Sequence, residues 1–322
     1  NHTGLRNSEG AFYANQFIAI LQKQEATYPA TLPMLENLPV ADHFSVGSEW
    51  LYVKLYCGSR TAEKILTEAL YPLTQNLEKQ GLIQKWFFIR YLDPHFHIRF
   101  RLQLRDPELF GKVIQLVHSS VSEFEQQGLI WRIQLDTYQR ETARYGSSSI
   151  AAVETIFHQN SIATVNWLSN TDGDEREHAR WLWGLKGIDV LLNCFGWDLD
   201  KKTALLEKLK TAFAEEFHTG NLLKQQLDYR YRKYRDQLKL ELESATGADF
   251  RVAEMEPSVR ELLHLQQQKL LEPILEELAA SLIHMQLNRL FPSQPRQHEM
   301  ICYDFLYRYY YAEKMRKKPV RT

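Results

Sequence analysis

The sequence lacks most features that would identify a metal site, a cofactor or a membrane anchor. Its three cysteines lie far apart without Cys-x-x-Cys spacing, which argues against structural zinc and favours a reduced, cytosolic protein. No apolar run approaches the roughly 18 residues of a membrane span, and no signal peptide leads the chain. Glycine-rich phosphate loops and nucleophile elbows are also missing, so we expect neither a cofactor nor a metal.

The chain also lacks an excess of charge of one sign and an initiator methionine. Its 39 Lys and Arg against 40 Asp and Glu give a net charge of −1, so any anion binding must be local. The first residue is Asn1, from which we expect a processed or excised fragment, with one domain of a longer protein and the removal of a tag as the alternatives. Apolar residues are abundant: they make up 44% of the 322 residues, enough for a sizeable core.

The first half of the sequence alternates strands with helices. We predict strands at 48–57, 84–92, 96–104 and 129–138. Helices are predicted at 60–80, interrupted near Pro72, and at 107–127, where Asp106 is the N-cap. The order βαββαβ predicts an α+β fold with a ferredoxin-like antiparallel sheet, two helices covering one face and the other face open.

The second half of the sequence is predicted to be mostly α-helical. The expected helices are 147–168, 175–195, 201–217, 220–244, 256–291 and 298–316. We therefore divide the chain into an N-terminal extension (1–47), a ferredoxin-like half (48–146) and a helical half (147–322) that packs on the sheet. A groove between sheet and helices is the expected place for a ligand.

The most informative segment is the strand at 96–104. Period-two spacing places His97, Arg99 and Arg101 on one face, where they would meet an anionic guest, although a histidine after a proline turn is more typical of a structural role. The open face of the whole sheet is expected to carry Trp50, Tyr52, Lys54, Tyr56, Trp86, Phe88, Arg90, His97, Arg99, Arg101, Arg132, Gln134 and Asp136. Such a mixture should be covered by something, and ion pairing across strands is the alternative use of its arginines.

Two further segments hold candidate site residues. In TYQRETARYG (137–146), Arg140 and Arg144 would share a helix face and need a nearby anion, while Glu141 could hold one of them. A solvated turn with a local Arg–Glu pair is the alternative. In HMQLNR, His284 and Asn288 share a helix face, and a histidine satisfied by a helix–helix hydrogen bond is the alternative to a catalytic one.

Four segments, taken together, resemble a known family. KLYCGS, WFFIRYLDPHFHIRFR, TYQRETARYG and SLIHMQLNRLF follow the order found in the C-terminal domain of class I lantibiotic dehydratases, also called the thiopeptide-type bacteriocin biosynthesis domain. The resemblance runs from about Glu49 to Lys318. In that family a separate N-terminal region transfers glutamate from glutamyl-tRNA to Ser or Thr of a precursor peptide. The domain resembled here then eliminates the glutamate, which leaves dehydroalanine or dehydrobutyrine.

The resemblance implies roles for particular residues. His284 would move a proton, because a histidine pKa lies near neutrality, and arginines would hold the glutamate carboxylates bidentately. We favour Arg99 and Arg140 as catalytic residues beside His284. Substrate-binding roles are expected for Arg90, His97, Arg101, Glu141, Arg144, Asn288 and Arg289. The arginine clusters and His284 should converge on one pocket.

Two other functions stay open beside this cofactor-free lyase. One is an enzyme of the same fold that builds a pyridine ring from two dehydroalanines by cycloaddition, and the other is a non-catalytic docking module for a precursor peptide. Intact arginine and histidine motifs favour elimination. The expected partners are the glutamylated precursor peptide and a glutamylation domain or protein, fused or separate, with a lanthionine cyclase and a second copy of the chain left open. We expect no direct nucleic-acid partner.

Overall fold

The computed structural model describes residues 41–171, 176–217, 220–244 and 248–317, so most of the predicted N-terminal extension lies outside the described residues. The described strands are β1 (His43–Phe44), β2 (Trp50–Cys57), β3 (Ile83–Leu92), β4 (Phe96–Leu104), β5 (Ile130–Leu135) and β6 (Tyr138–Gln139). The described α-helices are α1 (Thr61–Lys64), α2 (Tyr71–Lys79), α3 (Phe110–Gln126), α4 (Thr142–Tyr145), α5 (Ile150–Asn170), α6 (Arg176–Cys194), α7 (Leu199–Glu216), α8 (Asn221–Glu243), α9 (Val252–Gln267), α10 (Leu275–Leu290) and α11 (Pro295–Lys317). None of these helices is long and apolar enough to cross a membrane.

The main sheet has the strand order predicted for a ferredoxin-like fold. Its order is β3-β4-β2-β5, and every neighbouring pair is antiparallel. The connections β2 to β3 and β4 to β5 contain helices, so each crosses one intervening strand. Strands β1 and β6 form a separate two-stranded ladder. The α+β prediction is confirmed.

Single proline and aspartate residues explain the course of the helices at three places. The helix from Thr61 to Lys79 is not broken near Pro72 but widens into a π-helical turn at Ile65–Leu70, since proline removes a backbone donor. Asp106 caps a 3-10 turn at Pro107–Leu109 that leads into α3, with its Oδ1 accepting the Glu108 amide at 2.9 Å. The long helix predicted at 256–291 is wrong, because Pro273 lies in the connection between α9 and α10.

Two apolar clusters lie on opposite faces of the main sheet. One contains the face of Val53, Leu55 and Phe100, together with α1, α2 and α3. The other contains Trp50 and Tyr52 and most of the helical half. Helices α5 and α10 contact β3. Helices therefore contact the sheet near β3, whereas Arg132 on β5 is exposed.

The phase of β3 differs from the prediction. Phe87 lies opposite Arg101 and shares its face, whereas three residues predicted for that face lie on the other: Trp86, Phe88 and Arg90. The sequence could not give the phase, because β3 is apolar on both faces, and the register is irregular between Ile83 and Lys85. The predicted positions on β2, β4 and β5 are confirmed.

The outer edge of β3 is sealed by side chains instead of a strand. Asn288 of α10 accepts from the Arg90 amide and donates to the Arg90 carbonyl, both at 2.9 Å. Arg289 donates to the Phe88 carbonyl at 2.9 Å, and His158 Nδ1 lies 2.9 Å from the Trp86 carbonyl. These contacts satisfy backbone groups that would otherwise need another strand.

Candidate active site

His284 and Glu299 form a hydrogen-bonded pair between α10 and α11. The His284 Nδ1 atom lies 2.6 Å from the Glu299 Oε1 atom, with the carboxylate side chain only 1% exposed and the imidazole 26% exposed. A buried carboxylate on one ring nitrogen fixes the tautomer and leaves Nε2 for chemistry. The helix–helix hydrogen bond that the sequence left as an alternative therefore exists, and it orients the ring.

The remaining oxygen of Glu299 is also occupied. Arg296 Nη1 donates to Oε2 at 3.1 Å. Burial, followed by the neighbouring Glu299 charge, raises the pKa of Tyr303 well above its usual value, so this phenol stays protonated as a hydrogen-bond donor. The carboxylate is held in one position by these contacts.

Arg144 lies in the same cavity as His284. The cavity has a volume of about 340 Å³, and its lining includes Arg144, Ser281, His284, Arg296, Glu299 and Tyr303. Arg144 Nε donates to Ser281 Oγ at 3.1 Å, and the arginine side chain is 40% exposed. A second opening of about 600 Å³ shares Arg144 and Ser281 and continues to Glu272 and Glu277. We call the two openings together the His284 groove.

Arg101 occupies a smaller cavity beside this groove. Its guanidinium carbon lies 4.6 Å from the ring centre of Tyr52 and 4.7 Å from that of Tyr138. The cavity, of about 20 Å³, is also lined by Glu141 and Tyr145. Arg101 is 7% exposed, forms no ion pair within the described ranges, and leaves its Nε without a partner there. A buried cation without an anion is costly, and its contacts with aromatic rings offset only part of that cost, so Arg101 is a candidate ligand for a carboxylate.

Arg140, which the sequence predicts as a catalytic residue, has a structural partner in Glu154. Its Nε and Nη2 donate to the two oxygens of Glu154, each at 2.7 Å, and Glu154 is fully buried. The prediction that Arg140 and Arg144 share a helix face is wrong, because helix α4 begins only at Thr142. The structure places Arg144, and not Arg140, in the His284 groove.

Arg99 and His97 point to a different part of the sheet face. Arg99 Nε donates to His97 Nε2 at 3.2 Å, and its guanidinium carbon lies 3.3 Å from the ring centre of Tyr91. His97 is 1% exposed, its Nδ1 lies 2.8 Å from the His95 carbonyl, and burial lowers its pKa. Neither residue lines any of the three cavities described above, so Arg101 replaces Arg99 as the candidate from this strand.

Three more predicted binding residues make structural contacts. Arg90 lies on the opposite face of the sheet, 3.6 Å from Glu63. Asn288 is bonded to the Arg90 backbone, and Arg289 is 1% exposed and donates to the carbonyls of Phe88 and Met285. None of the three lines either opening of the His284 groove. Arg289 Nη2 has no hydrogen-bond partner among the described residues.

The sequence reasoning missed the residues of α11. Arg296, Glu299 and Tyr303 stand at helical spacing, and Glu299 is followed on this face by Cys302, Tyr303 and Leu306. That carboxylate was the available signal. Its pairing with His284 depends on how two helices pack, which no local pattern encodes.

Comparison with known proteins relates most of the sequence to a single family. Residues 50–310 match the family model for the C-terminal part of lantibiotic biosynthesis dehydratase. The subtilin biosynthesis protein SpaB of Bacillus subtilis is 28% identical over 46% of this chain and 15% of its own length. The nisin biosynthesis protein NisB of Lactococcus lactis subsp. lactis is 24% identical over 77% of this chain and 26% of its own. The chain thus spans only a minor part of both relatives.

Two solved structures have a similar fold. The tRNA-dependent lantibiotic dehydratase MibB from Microbispora sp. 107891 matches with a TM-score of 0.65 and 20% identity, over 84% of this chain and 29% of that one. The pyridine synthase TbtD from thiomuracin biosynthesis matches with a TM-score of 0.61 and 13% identity, over 82% of this chain and 100% of that one. The family match covers most of the sequence and confirms the resemblance of its four segments: the chain belongs to the family of lantibiotic biosynthesis dehydratase C-terminal domains.

Proposed function

We propose that this chain removes glutamate by β-elimination from glutamylated Ser or Thr of a ribosomally made precursor peptide. The products would be glutamate and a peptide carrying dehydroalanine or dehydrobutyrine. The observation that supports this most is that His284, oriented by buried Glu299, lines one groove with Arg144. A proton-transfer group and a carboxylate-binding group stand together there, as the reaction requires.

The step needs no oxidant, reductant or cofactor. Neutral His284 accepts the Cα proton at Nε2, and the electron pair of the C–H bond forms the Cα=Cβ double bond. The Cβ–O bond breaks at the same time, and glutamate leaves as a carboxylate. Glu299 stabilises the imidazolium that forms on His284.

Arg101 and Arg144 bind the carboxylates of the glutamate in this proposal. Arg144 is accessible within the His284 groove, and Arg101 is a buried cation in the adjacent cavity. An arginine fork binds a carboxylate with two parallel hydrogen bonds and keeps its charge throughout. Since the leaving carboxylate gains charge as the Cβ–O bond breaks, these contacts are stronger in the transition state than in the bound ester.

Pyridine formation by cycloaddition is the second candidate, because the whole length of TbtD matches the fold of 82% of this chain. That reaction releases no glutamate and has no use for a carboxylate-binding arginine. The accessible Arg144 in the same groove as His284 therefore favours elimination.

The glutamylated peptide is supplied, in this proposal, by a glutamyl-tRNA-dependent domain or protein, fused or separate. Its support is the match to 29% of MibB, a dehydratase described as tRNA-dependent. A lanthionine cyclase would consume the dehydrated product.

A synthetic glutamyl-Ser peptide tests the proposal by mass spectrometry. The unmodified chain should convert it to the dehydroalanine peptide, while His284→Ala should leave the glutamyl peptide intact. His264→Ala, at an exposed histidine of α9, is the matched control and should turn over normally. A chain that leaves this peptide intact but joins two dehydroalanines into a pyridine would establish the second candidate, and binding without either product would leave a docking module.

A further inference from the structure

The two edge strands of the main sheet, β3 and β5, differ in whether their outer backbone groups are covered. Side chains of α5 and α10 seal the edge of β3. The other edge strand, β5, pairs with β2 on one side and has no strand on its outer side in the described part of the chain. An open edge strand is a template for a further extended segment.

The hydrogen-bond alternation shows which backbone groups of β5 point outward. The Asp136 amide donates to the Tyr52 carbonyl at 3.2 Å, and those two residues lie opposite each other in the ladder. In an antiparallel pair, alternate residues face the partner strand, so the backbone groups of Ile133 and Leu135 face away from β2. Among the described residues these groups have no hydrogen-bond partner.

The side chains beside this edge form a cationic, aromatic strip. The Arg132 guanidinium carbon lies 5.4 Å from the ring centre of Tyr56 and 5.2 Å from that of Trp131, which is 50% exposed. Arg99 stacks on Tyr91 a short way along the same face. Neither arginine forms an ion pair within the described ranges, whereas Lys54 is neutralised by Asp136. The strip is complementary to an extended segment that carries carboxylates.

The edge also leads to the site. After Leu135 the chain continues through Tyr138 and Glu141, which line the cavity of Arg101, to Arg144 in the His284 groove. A segment paired antiparallel with β5 would place its own N-terminal end beside Leu135. The residue that reacts would then lie N-terminal to the paired segment.

We infer that the outer edge of β5 is a docking strand for an extended, acidic segment of the peptide substrate, located C-terminal to the residue that is dehydrated. This inference rests on the proposed function, because it names the part of the same peptide that lies outside the groove. Main-chain pairing with Ile133 and Leu135 supplies affinity, and Arg132 with Trp131 supplies the preference for carboxylate and apolar side chains.

Two variants separate main-chain pairing from charge. Leu135→Pro removes an outward amide and leaves the ladder with β2 intact, since proline is tolerated at such edge positions. Arg132→Glu reverses the charge of the strip. Arg260→Glu, on the exposed face of α9, is the matched control. Both β5 variants should retain the unfolding temperature of the parent chain and its turnover of a short glutamyl-Ser peptide that lacks the flank.

Binding is measured by fluorescence anisotropy with a labelled, unmodified peptide that carries Ser followed by an acidic segment. Leu135→Pro and Arg132→Glu should each weaken binding about tenfold or more, and Arg260→Glu should not. Methylation of alternate amides in the acidic segment should weaken binding. In the turnover assay the segment should lower the KM of a glutamyl-Ser peptide when it follows Ser and should not when it precedes Ser. Equal binding by parent and variants would overturn the inference, as would a dimer that Leu135→Pro dissociates without any change in peptide affinity.

The binding assay involves no chemistry, so its result is independent of the proposed function. Binding that depends on β5 without release of glutamate would retain the docking strand and refute elimination. Release of glutamate with no dependence on β5 would retain elimination and refute the docking strand.

Discussion

Arg140 and Glu154 form a bidentate ion pair, with Nε–Oε1 and Nη2–Oε2 distances of 2.7 Å each. The carboxylate is fully buried and also accepts from the Tyr138 hydroxyl at 2.8 Å. The pair therefore fixes the segment before α4 to α5. Arg144 follows on α4, so the ion pair sets the position from which Arg144 reaches the His284 groove.

We expect Arg140→Ala and Arg144→Ala to have opposite phenotypes. Arg140→Ala leaves a buried carboxylate without its partner and should lower the free energy of unfolding by about 3–5 kcal/mol. Arg144→Ala removes a partly exposed side chain, so stability should change by less than about 0.5 kcal/mol while glutamate release falls. Urea denaturation and the mass-spectrometric assay measure the two effects. A stable but inactive Arg140→Ala protein would return Arg140 to the site.

Glu299 should act through His284. Glu299→Gln preserves shape but loses the charge that stabilises the imidazolium, and we expect glutamate release to slow on the order of 10²-fold, with a changed pH profile. Glu216→Gln is the control, because Glu216 also contacts Arg296 but does not touch His284. An unchanged pH profile in Glu299→Gln would mean that the carboxylate has only a structural role.

Arg101 should contribute to glutamate release at some cost in the free energy of unfolding. Arg101→Met replaces a buried cation that has no ion-pair partner among the described residues by an uncharged side chain of similar size. The free energy of unfolding should therefore stay equal or rise by about 1 kcal/mol. Release of glutamate should fall on the order of 10²-fold, because a carboxylate contact in the transition state is lost. Parallel denaturation and turnover measurements check this. A variant that loses stability and keeps activity would show that Arg101 belongs to the core.

The order of strands and helices followed from the sequence because hydrophobic periodicity and proline positions are local signals. The face carrying His97, Arg99 and Arg101 on β4 was predicted for the same reason. The phase of β3 was not, because Trp86 to Ile89 are all apolar and alternation carries no information there. Which arginine lines the groove, Arg140 or Arg144, could not be predicted because it depends on the contact of Arg140 with Glu154 on another element. The partner of His284 could not be predicted because it depends on the packing of α10 against α11.

Two histidines, the buried His158 and the half-buried His298, should make the fold sensitive to mild acid. Burial lowers the pKa of His158 and of His298 to about 4 each, whereas an unfolded histidine titrates near 6.5. Protonation therefore favours the unfolded chain, and the stability present above about pH 6.5 should be lost as the pH falls toward 4. Glu78, 3.7 Å from His158, offsets part of this loss, because burial raises its pKa and it gains a proton more readily in the folded chain.

The size of the acid effect can be measured with one substitution. For His158, which is 8% exposed, the loss amounts to about 3 kcal/mol at most. His158→Gln can retain a bond to the Trp86 carbonyl and should flatten the pH dependence of the free energy of unfolding between pH 4 and about 6.5. His118→Gln, at an exposed histidine, should leave the curve unchanged.

The sealed edge of β3 makes the helical half a replacement for a missing fifth strand. Asn288 and Arg289 complete the hydrogen bonding of a strand almost two hundred residues away in sequence. A protein cut before α5 would keep every strand of the main sheet but expose a row of unpaired amides and carbonyls along β3. Such a fragment should self-associate edge to edge, so the βαββαβ unit of this chain depends on α10 to remain monomeric.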